Sequence, residues 1–334
     1  MDRMEYTQAV ATMRVYEKRL LDSVKIERMT DAASAQDVLK ILQETEYAKV
    51  MNTSMRPEEF ETILSRELER VYREVYALTK DTDLIALLSL KYDYQNLKTL
   101  IKAKALGLAV MPALQNMGTI PGAELRSDFE SDTLGDYSPF IQEAVAQAWS
   151  DYGKNADPQR IDLIVDKTYF AHLFSLLEGK KDVQMIRDYV AYQVDAFNLL
   201  ALLRAKKQKQ DPRFLEDLFA QGGEIPIKDL KASFNEPYDT LARKFRNAKV
   251  GPALAKGMEA FLNTHRLGEL ERQLENGLIR ILGPARHVVF GPEPLFGYVA
   301  AKERENKLLR IILVSKLNNI APERIRERLR DIYA

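Results

Sequence analysis

Asp93-Tyr-Gln-Asn96-Leu-Lys-Thr-Leu-Ile-Lys-Ala-Lys104 reappears as Asp195-Ala-Phe-Asn198-Leu-Leu-Ala-Leu-Leu-Arg-Ala-Lys206, and in weaker form as Glu303-Arg-Glu-Asn306-Lys-Leu-Leu-Arg-Ile-Ile-Leu-Val314. The three asparagines lie 102 and 108 residues apart (198 minus 96, 306 minus 198). Each segment carries apolar residues at three- and four-residue intervals, the period of an amphipathic helix. A second match keeps the same register: Gly118-Thr-Ile-Pro121-Gly-Ala-Glu-Leu125 against Gly223-Glu-Ile-Pro226-Ile-Lys-Asp-Leu230, with Ile320-Ala-Pro322-Glu-Arg-Ile325 a looser third copy. The chain therefore reads as three copies of one helical unit. A unit of about 105 residues is too long for a tetratricopeptide or HEAT array, whose repeats run roughly 34 to 47 residues. Each copy is long enough to be a small domain with its own core. The expected units are 1–115, 116–222 and 223–334, and three like domains in one chain are able to close into a ring or funnel.

Outward from these segments the reading stays all-α. Between Pro57 and Leu78, residues Phe60, Ile63, Leu64, Leu68, Val71, Tyr72, Val75 and Leu78 share one stripe, with charged residues on the rest of the surface. Proline at the first helical position opens it. Strand-like alternation is nearly missing; the best candidate, His287-Val-Val-Phe290, is short, bounded by Pro284 and Gly291, and reads as loop. Turn-forming residues cluster at 111–122, 211–226 and 283–294, the expected joints, and a further breaker at 153–158 follows the helix that carries Trp149. At the carboxyl end Ile325, Leu329 and Ile332 form the apolar stripe of a terminal helix expected to dock on its own domain.

Composition narrows the function. The 334 residues are 46% hydrophobic and 29% charged, with 49 basic against 49 acidic side chains. That balance excludes a disordered chain and argues against nucleic acid as the main partner, whose footprint is a strongly basic domain. Cysteine is absent, so no disulfide, thiolate metal site or cysteine nucleophile exists. No apolar run approaches the ~18 residues of a membrane helix, and no secretory signal core appears, which gives a cytoplasmic expectation. The phosphate-cradling loop is missing: Gly251-Pro-Ala-Leu-Ala-Lys-Gly257-Met has the wrong spacing and lacks the terminal lysine and hydroxyl. Dinucleotide-binding and serine-hydrolase motifs are missing as well. His172, His265 and His287 have no second ligand at helical spacing. No catalytic residue, cofactor, metal or small-molecule substrate is expected.

Two faces of the repeated helix remain. Asp93 with Asn96, Asp195 with Asn198, and Glu303 with Asn306 sit three apart and project toward the apolar side. They read as a binding site in each unit or as buried hydrogen-bonding pairs that fix a helix crossing. The second is expected, because buried amides and carboxylates must be satisfied wherever the same packing recurs. On the opposite face lie Lys91, Gln95, Lys98 and Lys102 in the first copy, with Lys104 one turn farther round, and Arg204, Lys206, Lys207 and Lys209 in the second. They are either solvated lysines favoured by the negative end of a helix dipole or a basic rim for an acidic partner.

The sequence resembles the C-subunit (AC39) family of V/A-type rotary ATPases, whose eukaryotic vacuolar members are called d subunits. The segments that carry the resemblance are 91–104, Gly118-Thr-Ile-Pro121, Asp195-Ala-Phe-Asn198-Leu, and Phe290-Gly-Pro-Glu-Pro-Leu-Phe-Gly-Tyr-Val-Ala-Ala-Lys-Glu303 running into Arg310-Ile-Ile-Leu-Val-Ser-Lys316. The resemblance implies a non-catalytic rotor component: a pseudo-threefold funnel of three similar helical domains, peripheral to the membrane. It would seat on the membrane proteolipid ring, receive the shaft made by the D and F proteins of the same ATPase, and transmit torque for proton or sodium transport. Under that reading Lys98, Lys102, Arg204, Lys206 and Arg310 are candidate interface residues. The competing readings are a helical adaptor of another multi-subunit complex and, third, an enzyme whose site is assembled across the units.

Overall fold

The structure, a computed structural model, describes residues 3–52, 55–108, 112–211 and 215–333. Met111 and residues 212–214 of the expected joints lie outside the described residues. The chain order is α1 (Thr7–Glu17), α2 (Ser23–Asp31), α3 (Ala35–Leu42), α4 (Phe60–Tyr76), α5 (Thr82–Ala105), α6 (Gly122–Glu130), α7 (Pro139–Asn155) and α8 (Pro158–Leu177). There follow α9 (Gln184–Lys207), α10 (Leu215–Leu218), α11 (Ile227–Ala232), α12 (Thr240–Lys244), α13 (Gly251–Thr264), α14 (Gly268–Leu282), α15 (Glu293–Leu317) and α16 (Pro322–Arg328). Among the described residues there is no strand, so the protein is all-α, and Val288–Phe290 is irregular.

Local chemistry sets the helix ends. Asp22 accepts from the Lys25 amide at 2.8 Å to open α2, and Ser34 accepts from Asp37 at 3.2 Å to open α3. Asp157 accepts from Gln159 at 2.9 Å ahead of Pro158, which starts α8. Ala156 and His265 end α7 and α13 in the left-handed conformation, at φ 50° and 52°. The helix expected from Pro57 begins as a single 3₁₀ turn, Pro57–Glu59, and continues as α4. Glu59 reaches back to the Arg56 amide at 2.9 Å and satisfies an otherwise free donor.

The chain gathers into two compact units: Met1–Ile85 with Ile279–Ala334, and Ala86–Leu278. In the first unit α15 is the central helix, packed chiefly on α4 and also on α1, α3 and α16. Its residues 293–302 are buried without interruption, nearly three full turns with no side facing water. Met29, Val38, Leu42, Ile63 and Leu64 close around Leu309, Ile312 and Leu313. The carboxyl-terminal helix does dock on this unit, with Ile325 fully buried. It stops at Arg328, earlier than its apolar stripe, because Leu329 turns extended at ψ 153°. That turn lets Ile332 pack on the same core and Tyr333 become buried.

In the second unit α7 and α8 form a closely packed helical hairpin, while α9 is lined by α8, α10 and α11. Leu97, Leu100, Leu173, Leu199, Leu202 and Leu254 are fully buried there. The lysine that ends each of the first two repeated segments lies between aromatic rings. Lys104 Nζ stands 5.3 Å from the Phe129 ring and 5.4 Å from Trp149, and Lys206 Nζ stands 5.8 Å from Phe234 and 5.0 Å from Tyr238.

Two substitutions on α15 test its central position in the first unit. Leu309→Ala is expected to cost roughly 2–5 kcal/mol in urea unfolding, the range for a large buried aliphatic. Val314→Ala, at a position 42% exposed, should stay within about 0.5 kcal/mol of the parent.

Candidate functional site

In the second unit the repeated Asp-x-x-Asn pairs are buried and hydrogen-bonded to backbone. Asp93 and Asn96 on α5 are buried, and both hold the segment that follows the helix. Asp93 Oδ2 accepts from the Thr119 amide at 2.8 Å and from its hydroxyl at 2.7 Å, and Oδ1 accepts from the Ile120 amide at 3.1 Å. The Asn96 carboxamide clasps one residue's backbone, donating to the Gln115 carbonyl and accepting from its amide, each at 2.8 Å. The second copy repeats this. Asp195 accepts from the Glu224 and Ile225 amides, both at 3.0 Å, and Asn198 clasps Ala220 at 2.9 and 2.8 Å.

This arrangement requires the glycine of the accompanying motif. A Cβ on Gly118 would lie 1.9 Å from Asp93 Oδ1, and one on Gly223 would lie 2.2 Å from Asp195 Oδ1. Burial pushes both aspartates up to about 6, although the amide donors pull the other way. His172 shares this unit: Tyr94 Oη sits 3.1 Å from its Nδ1, Ser138 Oγ lies 3.3 Å from its Nε2, and the Phe140 ring stacks on it. Burial pulls it down to about 4, so it stays neutral near neutral pH.

In the first unit the third copy departs from the pattern. Asn306 is buried and donates to the Leu64 carbonyl at 2.7 Å, a partner on α4 rather than on a following loop. Glu303 is half-buried and accepts from Tyr72 Oη at 2.5 Å. The carboxylate that caps a backbone amide here is Glu305, which accepts from Leu21 at 2.6 Å.

Glu305 belongs to a cluster that the internal repeat does not single out. Lys302, only 1% exposed, donates to Glu305 Oε1 at 2.7 Å and lies 3.3 Å from Glu67 Oε1 and 4.9 Å from the Tyr47 ring centre. Arg70 grips both oxygens of Glu67 at 2.7 and 2.8 Å and donates to Glu74 at 2.6 Å. Burial would lower the Lys302 ammonium, but Glu305 and Glu67 outweigh it and hold it above its ordinary value. No sequence signal pairs Lys302 with Glu67, because their helices lie at opposite ends of the chain.

The five candidate interface residues are each engaged inside the protein. Lys98 and Lys102 of α5 pair with Asp166 and Asp162 of α8 at 2.8 and 2.5 Å, two rungs one helical turn apart. Lys206 donates to the carbonyls of Ser233, Phe234 and Glu236 at 3.1, 2.5 and 2.7 Å, and burial lowers it. Arg204 pairs with Glu271 at 2.6 Å and Arg310 takes both oxygens of Glu61 at 2.7 and 2.8 Å. These two arginines remain about half exposed. Among the described residues no cluster of His, Asp and Glu could hold a metal ion, and no helix is long and apolar enough to cross a membrane.

Buried polar groups that serve the backbone, beside surface charges paired within each unit, define a helical protein built for packing. The chain belongs to the ATP synthase (C/AC39) subunit family, whose model matches residues 9–328, and is a non-catalytic component of a rotary ATPase. It is 25% identical to the C subunit of the A-type ATP synthase of Methanocaldococcus jannaschii, over 98% of this chain and 87% of that one. It is 23% identical to the C subunit of the V-type sodium ATPase of Enterococcus hirae, over 99% of both chains. The C subunit of the A-type ATP synthase of Methanosarcina mazei is 25% identical, over 97% of this chain and 92% of its own.

Gly118→Ala and Gly223→Ala should each lower the urea midpoint, whereas Gly268→Ala, with open space at its Cβ, should not. Asp195→Asn keeps one acceptor but turns an N–H toward a backbone N–H, an expected cost of about 1–3 kcal/mol at neutral pH. The pH dependence has two opposing parts. Asp93 and Asp195, raised on folding from 3.8 to about 6, contribute stability that is full below 3.8 and lost as pH rises through 6. His172, lowered from 6.5 to about 4, contributes stability present above 6.5 and lost as pH falls through 4. Urea midpoints of Asp93→Asn/Asp195→Asn should therefore fall more steeply from pH 6.5 to 4.5 than those of the parent chain.

Proposed function

We propose that this chain is the central-stalk socket of its ATPase, joining a shaft of D and F proteins to the membrane proteolipid ring and passing torque between them. The observation that carries this reading is the family match from residue 9 to residue 328, together with C-subunit relatives aligned over nearly all of the chain. The protein would sit at the membrane's cytoplasmic face as a peripheral part of the complex. Three copies of one helical unit, 1–115, 116–222 and 223–334, belong to the same proposal and form its funnel. The recurrence of the clasp at Asn96 and Asn198, with the same donor and acceptor pattern, supports the first two copies.

Torque transfer asks for stiffness and interface area more than for any one side chain. The internal pairs supply stiffness: each Asp-x-x-Asn clamp ties a helix to an irregular segment, and the Lys98 and Lys102 rungs tie α5 to α8. Within the candidate interface set, Arg204 and Arg310 are best placed to meet a partner. Each is held by an exposed or half-exposed carboxylate that a competing acidic surface is able to replace. Lys98, Lys102 and Lys206 would act at the interface indirectly, by holding the surface that bears it.

The test is capture of the purified chain on detergent-solubilised ring and, separately, on a D and F pair, at low and moderate salt. Binding to both is expected, with salt weakening the arginine-dependent side. Arg204→Glu with Arg310→Glu should weaken one of the two captures at least several-fold while the far-ultraviolet spectrum stays that of the parent. Capture by neither component would point instead to an adaptor role elsewhere in the assembly.

A further inference from the structure

The central helix of the first unit poses a problem that its apolar residues do not solve. From Glu293 to Lys302 every residue of α15 is buried, so no polar face tells the helix which side to turn toward α4. An apolar helix in an apolar sheath tolerates rotation or a one-turn slide, because Leu, Val and Ala side chains repack with little loss. α15 makes other polar ties, among them Glu293 to Arg3, Asn306 to the Leu64 carbonyl, Glu303 to Tyr72, and the half-exposed Arg310 to Glu61.

We propose that the buried cluster of Lys302, Glu305 and Glu67 is the register lock of α15, setting its rotation and height against α4 and the segment at Leu21. The geometry fits this role. Lys302 and Glu305 are three residues apart on α15 and bond each other at 2.7 Å. From there the ammonium reaches Glu67 on α4 at 3.3 Å, while the other Glu305 oxygen takes the Leu21 amide at 2.6 Å. The Tyr47 ring closes the ammonium on a further side at 4.9 Å, and Arg70 fixes Glu67 through both of its oxygens. One cluster thus ties α15 to three separate segments. Turning α15 by one residue, about 100°, carries the ammonium off Glu67 and Glu305 off the Leu21 amide, so Lys302 keeps only Glu305 and Glu67 keeps only Arg70. The four charges balance, two ammonium or guanidinium and two carboxylate, so the lock adds no net charge to the core.

A buried ion pair is weak evidence for stability, because replacing the whole pair by neutral groups is often tolerated while removing one member is not. The lock is therefore tested by separating register from stability. Lys302→Met alone leaves Glu305 and Glu67 without the ammonium and should clearly lower the urea midpoint. Lys302→Met with Glu305→Gln removes one charge of each sign, keeps an acceptor for the Leu21 amide and leaves the Glu67–Arg70 pair intact. This double variant should regain most of the lost midpoint. It should nevertheless show at least tenfold weaker hydrogen-exchange protection along α15, and broadened or doubled methyl resonances from Leu309, Ile312 and Leu313. A double variant with parent-like protection and a single set of methyl signals would overturn the proposal, since the apolar surfaces would then set the register unaided. A double variant that fails to fold would overturn it too, by making the cluster a requirement for stability. The test uses the isolated full chain, so its result does not depend on capture by shaft or ring.

Discussion

Long helices with apolar residues on more than one side must be covered on more than one side, and this constraint organises the protein. α5 and α9 run for 24 residues each and α15 for 25. Each is too apolar to lie on a surface by one stripe alone, so the shorter helices and irregular segments are arranged as their sheaths. Covering a helix brings backbone amides of the covering segment out of water, and those amides need acceptors. Asp93, Asn96, Asp195, Asn198 and Glu305 supply them from the central helices. These buried polar residues serve the backbone that wraps the helix.

Much of this was legible in the sequence because the signals were local. The three- and four-residue period marked α4 almost to its ends, and the Asp-x-x-Asn spacing put both side chains on the covered face. The accompanying Gly-x-Ile-Pro segments were read only as a second match in the same register; that they receive the aspartates emerges from the structure, where glycine at 118 and 223 leaves room for a carboxylate against the chain. His172, one of three histidines without a second ligand at helical spacing, is hydrogen-bonded by Tyr94 and Ser138.

Charges were read less well, because their meaning depends on partners far along the chain. Lys98 and Lys102 looked like a bare basic face; Asp162 and Asp166, which neutralise them, are on a helix some sixty residues away. Lys206 looked like surface and instead closes the carbonyl end of α11. In the third copy the spacing pointed to Glu303, yet the amide is capped by Glu305. There the wrapping segment comes from the beginning of the chain, so the spacing that worked for the first two copies no longer measures the right distance.

The division of the first unit between both ends of the sequence also orders its folding in time. During synthesis, residues 3–85 emerge with their apolar surfaces prepared for α15, a helix that is not made until the whole stretch 86–278 has been translated. The second unit is contiguous and is free to fold as it appears, domain by domain. The amino-terminal helices must wait, exposed or loosely collapsed, for a partner more than two hundred residues downstream. Closing so long a loop is slow. Nascent chains stalled short of residue 293 should thus be the chaperone-dependent and aggregation-prone form of this protein, and release of α15 the step that ends that exposure.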